Sequence, residues 1–289
     1  MELEVHCWNG VAPGEVREAI AAHRNALAGT MPEQPAAVVL ARPWRSVTRT
    51  ACGAGDAAVK EYRHGQLRLA LTGIGLPSRA GAARQAYERF CRSGLPVAPL
   101  LATAEERRGH VCPTSYLLTR WVEGGICLRD LLRATPELLA DGVTLNPVWA
   151  DLVRSMVAHL TQMQRRGLFM SDYHAPNLTC VERHGADGIP RQELVLIDFD
   201  DVQTIRITWS RRFLNLYTCR KSLGRDLQDP GRCYLARTYL ELLEPEHPFC
   251  EAQYERLQEF LHPFVVGRHL RRRVAEFSRR ERHTFPERP

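Results

Sequence analysis

The chain reads as an α+β protein in two parts, the first rich in strands and the second mainly helical. Three observations predict this. Short runs of Val, Thr and Ala bounded by Gly and Pro fill residues 36–62, Glu123-Gly124-Gly125 interrupts an apolar segment, and a long helical stripe follows at residues 147–166. The boundary is placed at the Gly-Gly break, giving parts 1–122 and 123–289.

Taken in order, Ala36–Leu40, Ser46–Thr50 and Asp56–Tyr62 read as strands, joined by turns at Arg42-Pro43-Trp44-Arg45 and Gly53-Ala54-Gly55. Ser78 is an N-cap for a helix to Ser93, which Gly94 ends with Pro96 just beyond. Tyr116–Val122 is a further strand. The second part opens with a short helix at Leu128–Arg133. A longer one runs from Pro147 to Arg166, whose apolar positions Trp149, Leu152, Val153, Met156, Val157, Leu160 and Met163 step by three and four. Gly167 stops it. Leu178–Val181 and Leu194–Ile197 are buried strands around a polar turn at Arg183–Arg191, and helices follow at Trp209–Leu223, Cys233–Leu243 and Glu251–Phe260. Residues 1–35 carry no legible role.

Composition excludes several classes. A chain of 289 residues with 44% hydrophobic and 25% charged residues is an ordinary globular protein of one or two domains. Nine scattered cysteines, an odd number with no Cys-x-x-Cys pair, argue against a zinc ribbon or a disulfide framework and for reduced thiols in the cytoplasm. Met-Glu-Leu-Glu-Val-His has neither the basic nor the apolar region of a signal peptide, and no apolar run approaches the ~20 residues that span a bilayer. Net charge is +6, and residues 268–288 concentrate Arg268, Arg271, Arg272, Arg273, Arg279, Arg280, Arg282 and Arg288. Without aromatic residues interleaved to stack bases, no nucleic acid is expected as partner. The tail is read as an attraction to an anionic membrane surface, with a solvated helix face as the plainer alternative.

The chemistry is carried by Met-Ser-Asp-Tyr-His-Ala-Pro-Asn at 170–177 and Leu-Ile-Asp-Phe-Asp-Asp at 196–201. Asp-x4-Asn in a tight loop, followed by Asp-Phe on the next apolar strand, is how kinase-like folds place a catalytic base and two metal ligands. Asp172 is then the base that accepts the proton of an acceptor hydroxyl. Asn177 and Asp198 are ligands for Mg²⁺ on the phosphates of ATP, and a carboxylate ending an apolar strand is costly unless it meets a cation. Lys60, in Ala-Val-Lys-Glu-Tyr, alternates with Val59 and is read as pointing at the α- and β-phosphates. Its carboxylate partner is assigned to Glu88, with Gln85 and Glu61 as alternatives. No glycine-rich loop is present. Arg45 and Ser46 at the first turn are candidate phosphate contacts, against the alternative of a plain exposed turn, while Gly53 and Gly55 serve a strand connection. His174 either orients Asp198, touches substrate, or is satisfied by loop carbonyls.

Strands first and helices last around a Gly-Gly hinge make this a bilobal protein-kinase-like fold. More narrowly, the chain resembles the lipopolysaccharide core kinases that phosphorylate Kdo or heptose. The resemblance rests on Ala-Val-Lys-Glu-Tyr, Arg-Ser-Gly-Leu-Pro-Val-Ala-Pro, Leu-Leu-Thr-Arg-Trp-Val-Glu-Gly-Gly, the two catalytic segments, and Arg-Arg-Phe-Leu-Asn-Leu-Tyr at 211–217, together covering residues 36–223. It implies ATP and Mg²⁺ as cofactors, a sugar hydroxyl of a glycolipid as acceptor, and work at the inner face of the cytoplasmic membrane. The chain departs from protein kinases at Met170, where a His is usual, and at Asp200, where Gly follows Asp-Phe. The segment after Asp198 is short and lacks Ala-Pro-Glu, which favours a small acceptor over a protein. An aminoglycoside- or choline-type phosphotransferase, an atypical protein kinase and a pseudokinase are the alternatives.

Overall fold

The computed structural model describes residues 2–30, 37–184, 190–199, 201–224, 227–243, 245, 249–262 and 267–285. The chain divides into two compact units, Met1–Glu123 and Gly124–Pro289.

The first unit contains β1 (Glu2–Cys7), α1 (Pro13–Ala28), β2 (Ala37–Arg42), β3 (Arg45–Cys52), β4 (Gly55–Arg63), α2 (Gln66–Gly73), α3 (Arg79–Ser93), β5 (Leu100–Arg108) and β6 (Val111–Arg120). The strands form one antiparallel sheet in the order β1-β5-β6-β4-β3-β2. Alternation decides its faces. Ala57 and Val59 of β4, with Tyr116 and Leu118 of β6, pack under Val16, Ala19 and Ile20 of α1. Ser115 and Glu105 lie on the other face and meet α3. There the Ser78 hydroxyl donates to Glu105 and accepts from the Gly81 N–H, and the Ala80 N–H donates to Ser115. Ser78 thus caps α3 as its sequence predicts, and Gly94 closes it at φ 66°.

Residues 2–28 acquire a role here. β1 pairs with β5, Val5 opposite Ala104, and α1 covers the sheet. β5 itself escapes sequence reading because its Leu-Leu-Ala-Thr-Ala-Glu-Glu-Arg-Arg run ends in charge. Glu105 and Glu106 are nonetheless buried, satisfied by Ser78 and Arg107 in one case and by Arg24 in the other.

The second unit contains β7 (Ile126–Cys127), α4 (Leu128–Ala134), α5 (Pro147–Arg165), β8 (Leu168–Met170), a single 3₁₀ turn (Ala175–Asn177), β9 (Leu178–His184), β10 (Pro190–Leu196), β11 (Val202–Thr204), α6 (Trp209–Ser222), α7 (Asp229–Leu243), α8 (Glu251–Leu261) and α9 (Arg268–Arg280). Two small sheets, β10-β9-β7 and β11-β8, frame the loops. Most of the predicted polar turn between β9 and β10 lies outside the described residues. The α5 stripe from Trp149 to Met163 is buried throughout.

Residues 268–280 of the Arg-rich tail form helix α9, and Arg288 lies outside the described residues. Leu270, Val274 and Phe277 of α9 are buried, each burial contributing roughly 1.5–3 kcal/mol. Phe277 meets Phe213 and Phe260 at ring distances of 4.9 and 4.6 Å. All nine cysteines are free thiols. No helix among the described residues is long and apolar enough to cross a membrane.

Candidate active site

The 171–177 loop follows β8 and is tied at nearly every residue. Asn215, buried in α6, donates from Nδ2 to the Met170 carbonyl at 2.6 Å. Behind it, Gln164 Nε2 donates to Asn215 Oδ1, and the Tyr239 hydroxyl donates to Gln164 Oε1. This buried polar chain does the anchoring for which Met170 lacks a side-chain donor. Tyr173 is fully buried, stacks on His159, and donates its hydroxyl to the Met156 carbonyl at 2.9 Å, with burial holding its phenol pKa above the usual range. The Ala175 N–H donates to Ser222 Oγ at 2.9 Å. Thus a loop whose backbone would otherwise fray presents the Asp172 side chain, 70% exposed, from a fixed base.

Asn177 closes that loop by donating from Nδ2 to the Asp172 carbonyl at 3.0 Å. The amide's Oδ1 remains as its acceptor, the atom a metal would take. The Asn177 carbonyl accepts from the Ile197 N–H at 2.9 Å, in line with the β9–β10 pair Leu178–Leu196. Asp198 therefore emerges beside Asn177 at the same end of the hairpin. The backbone register sets Ile197 opposite Asn177 and leaves Asp198 one residue further along the chain. Buried Phe199 next to it anchors the segment, and its carbonyl accepts from the Val202 N–H. Asp200 lies outside the described residues.

Asp201 was not among the residues read as functional, yet it braces the loop. Its Oδ2 accepts from the Ser171 hydroxyl at 2.6 Å and from the Asp172 N–H at 3.1 Å. Burial, reinforced by the neighbouring Asp172 and Asp198 carboxylates, raises its pKa despite these donors. Its other oxygen, Oδ1, is buried with no hydrogen-bond partner. Asp201 is thus a carboxylate with one unpartnered oxygen in the field of two others, Asp172 and Asp198. Among the described residues no cluster of three His, Cys, Asp or Glu stands at metal-binding distance. Asp198 and Asn177 would offer a hard cation one carboxylate and one amide oxygen. His174 is held within its own loop. Its Nδ1 donates to the Asp172 carbonyl at 2.6 Å and lies 3.4 Å from Asp172 Oδ1.

In the first unit, Lys60 is 5% exposed on β4, opposite Val47 of β3 and Leu117 of β6, and Val59 beside it faces α1. Arg45 shares the Lys60 face, with its guanidinium over the Tyr62 ring at 5.7 Å. Ser46 does not. It pairs with Glu61 across β3–β4, is buried, and donates its hydroxyl to Glu61 at 2.9 Å. The expected phosphate contact from the Ser46 side chain is therefore corrected: its hydroxyl belongs to the α1 face, with His23 at 3.2 Å.

Glu88 is corrected as well. It lies on the outer side of α3, away from buried Ala83, Ala86 and Phe90, and pairs with Arg92 at 3.7 Å instead of Lys60. Gln85 is likewise exposed. Glu61, the other alternative, faces away from Lys60 and is held by His23, Arg63 and Ser46. Helical periodicity alone could have excluded Glu88, since it falls outside the 80-83-86-90 stripe.

Neither a scan against family models nor a comparison with curated proteins finds a match. Solved structures do match. WaaP in complex with acyl carrier protein aligns with a TM-score of 0.52 at 19% identity, covering 91% of this chain and all of that one. The Rio2 kinase–ADP/Mg²⁺–phosphoaspartate complex from Chaetomium thermophilum gives a TM-score of 0.37 at 12% identity, covering 97% of this chain and 82% of that one. The PknI kinase domain of Mycobacterium tuberculosis gives 0.32 at 16% identity, covering 83% and 94%. The last two alignments are too loose to carry an argument. The first, over nearly the whole of both chains, establishes the kinase-like α+β fold expected from the sequence.

Proposed function

We propose that the chain is an ATP-dependent kinase that transfers the γ-phosphoryl group to a sugar hydroxyl, in the manner of the lipopolysaccharide core kinases. The observation that carries this reading is the juxtaposition of Asn177 with Asp198 at one hairpin end, on a loop whose Asp172 is held by Asn177 and Asp201.

In this reading the Asp172 carboxylate accepts the proton of the attacking hydroxyl. Its exposure leaves it accessible to an acceptor, while its tethered backbone limits reorganisation. Asn177 Oδ1 and the Asp198 carboxylate would hold Mg²⁺, which would supply neutralisation of phosphate charge. Lys60 orients the α- and β-phosphates, with Arg45 as a further phosphate contact on its face of the sheet. Residues 199–208 alone separate Asp198 from α6, and β11 within them is paired to β8. So short a segment, partly tied into a sheet, offers little platform for a protein substrate and favours a small acceptor. The fold likeness to WaaP supports inner-core Kdo or heptose as that acceptor.

Peripheral attachment at the cytoplasmic face of the membrane is the companion proposal. The tail helix buries its apolar stripe, and Arg272, Arg273 and Arg280 are engaged by Glu276, by the carbonyls ending α8, and by Glu259 and Glu281. Among the described residues Arg268, Arg271, Arg279 and Arg282 stay exposed and are available to meet anionic lipid.

The deciding experiment is ADP release from Mg·ATP with a panel of acceptors: inner-core lipopolysaccharide, aminoglycosides, choline and a generic protein substrate. Turnover on inner-core sugar supports the reading. Nucleotide binding without turnover on any acceptor would make the chain a pseudokinase.

A further inference from the structure

Beside Asp172, within the second unit, lies a cavity of about 330 Å³, within the ~300–1,000 Å³ usual for small-ligand sites. Its wall is formed by Arg129 and Arg133 of α4, by Asp172, His174 and Pro176 of the loop, and by Lys221 at the end of α6 with its neighbours. Neither Asn177 nor Asp198 contributes. The cavity therefore adjoins the proposed base without including the proposed metal ligands, which suits an acceptor better than the phosphates of a nucleotide.

Its charge is the informative property. Arg129, Arg133 and Lys221 outnumber the single carboxylate of Asp172 in the lining. Arg129 leans on Asp130 at 3.1 Å, an exposed pair of little strength. Arg133 and Lys221 have no carboxylate partner among the described residues. The hydroxyls in the wall are already spent within the fold: Thr218 donates to the Asn215 carbonyl and Ser222 to the Thr218 carbonyl. The ligand-directed groups are thus cations, placed so that one end of a bound molecule meets positive charge while the other reaches Asp172.

We propose that this cavity is an acceptor subsite for an oxyanion, a carboxylate or phosphate borne by the acceptor sugar, with Arg133 and Lys221 as its principal contacts and Arg129 as support. It rests on the kinase reading for the identity of the base. Binding of the anion orients the sugar so that a neutral hydroxyl, not the charged group, faces Asp172. It also offsets the repulsion an anionic acceptor meets near that carboxylate.

The test is calorimetric titration of the full chain with inner-core oligosaccharide in three forms: native, dephosphorylated, and carboxyl-reduced. The native form is expected to bind, and one treatment to weaken it about tenfold, the scale of a lost charge-assisted hydrogen bond. Which treatment does so tells phosphate from carboxylate. Arg133→Gln with Lys221→Gln should bring the native form to the same weakened affinity and abolish discrimination. Both side chains are exposed, so the double variant should melt with the wild type. Native oligosaccharide bound equally by wild type and variant, indifference to both treatments, or no binding of any form would overturn the proposal. Titration with Mg·ATP reports separately on the kinase reading. A chain that binds Mg·ATP but ignores sugar charge keeps that reading and loses the subsite, and the reverse result does the opposite.

Discussion

The side-chain amide of Asn177 donates to the main-chain carbonyl of Asp172 at 3.0 Å, so the residue proposed to hold the metal also shapes the loop that carries the proposed base. The two roles are coupled through five residues of chain. Loss of Asn177 would disturb both, which makes Asp172 the cleaner place to test the chemistry. Asp172→Ala should lower kcat by about 10²–10⁴-fold, the usual contribution of a general base, with little change in KM for ATP. Steady-state kinetics check this, and a variant retaining more than half its turnover would remove Asp172 from the role.

Asp198→Asn should abolish Mg²⁺-dependent nucleotide binding and leave the melting temperature near that of the wild type. The substitution keeps shape while removing the charge that a divalent cation needs. Calorimetry with ATP, with and without Mg²⁺, reads the result. Unaltered Mg²⁺-dependent affinity would count against the assignment.

Asp201 is expected to act as a positioning residue. Alanine removes the acceptor for the Ser171 hydroxyl and the Asp172 N–H, bonds worth up to ~1.5–3 kcal/mol when the acceptor is charged. kcat should fall while KM for ATP changes less. Asparagine, whose Oδ1 can still accept, should recover part of the loss. Equal activity in the alanine, asparagine and wild-type proteins would mean that the brace is dispensable.

A pH-dependent contribution to stability is expected from Glu61. Burial alone would raise its pKa, but hydrogen bonds from His23, Arg63 and Ser46 outweigh it and bring the carboxyl down to about 2. A depressed folded-state pKa stabilises above the unfolded value, and this stabilisation is lost as pH falls toward about 2. At pH 7 the contribution is at most about 3 kcal/mol. Glu61→Gln should therefore lower the melting temperature at neutral pH, with the gap to wild type narrowing between about pH 4.5 and pH 2. A gap constant across that range would sink the explanation.

Replacing Arg268, Arg271, Arg279 and Arg282 with Gln should weaken sedimentation with anionic vesicles. The effect should vanish at high salt, given about 1 kcal/mol per basic residue near such a surface and screening over a Debye length. Truncation is the wrong tool, because α9 and the segment after it carry Phe277 and Phe285, which pack on Phe213 and Trp209. Equal binding to neutral and anionic vesicles would defeat the idea without touching the kinase reading.

Much of this molecule is written locally. Ser78 and Gly94 bound α3, the three-and-four spacing from Trp149 to Met163 makes one buried face of α5, and the intervals between Asp172, Asn177 and Asp198 are legible in the sequence itself. Each depends on residues close in the chain, or on one strand following another, so propensity and periodicity suffice to read it. What only the tertiary structure decided are the relations across sequence distance. Alternation says that Ser46 and Lys60 each have a face, but the β3–β4 register and the docking of α1 determine that Ser46 turns inward to Glu61 and His23. The same holds for β1 on β5, for Asp201 beneath the Asp172 loop, and for cations from α4 and α6 meeting beside that loop. A side chain's direction is set by its own backbone. Its partners are set by which distant surface is buried against it, and that choice is made by the packing of the whole unit.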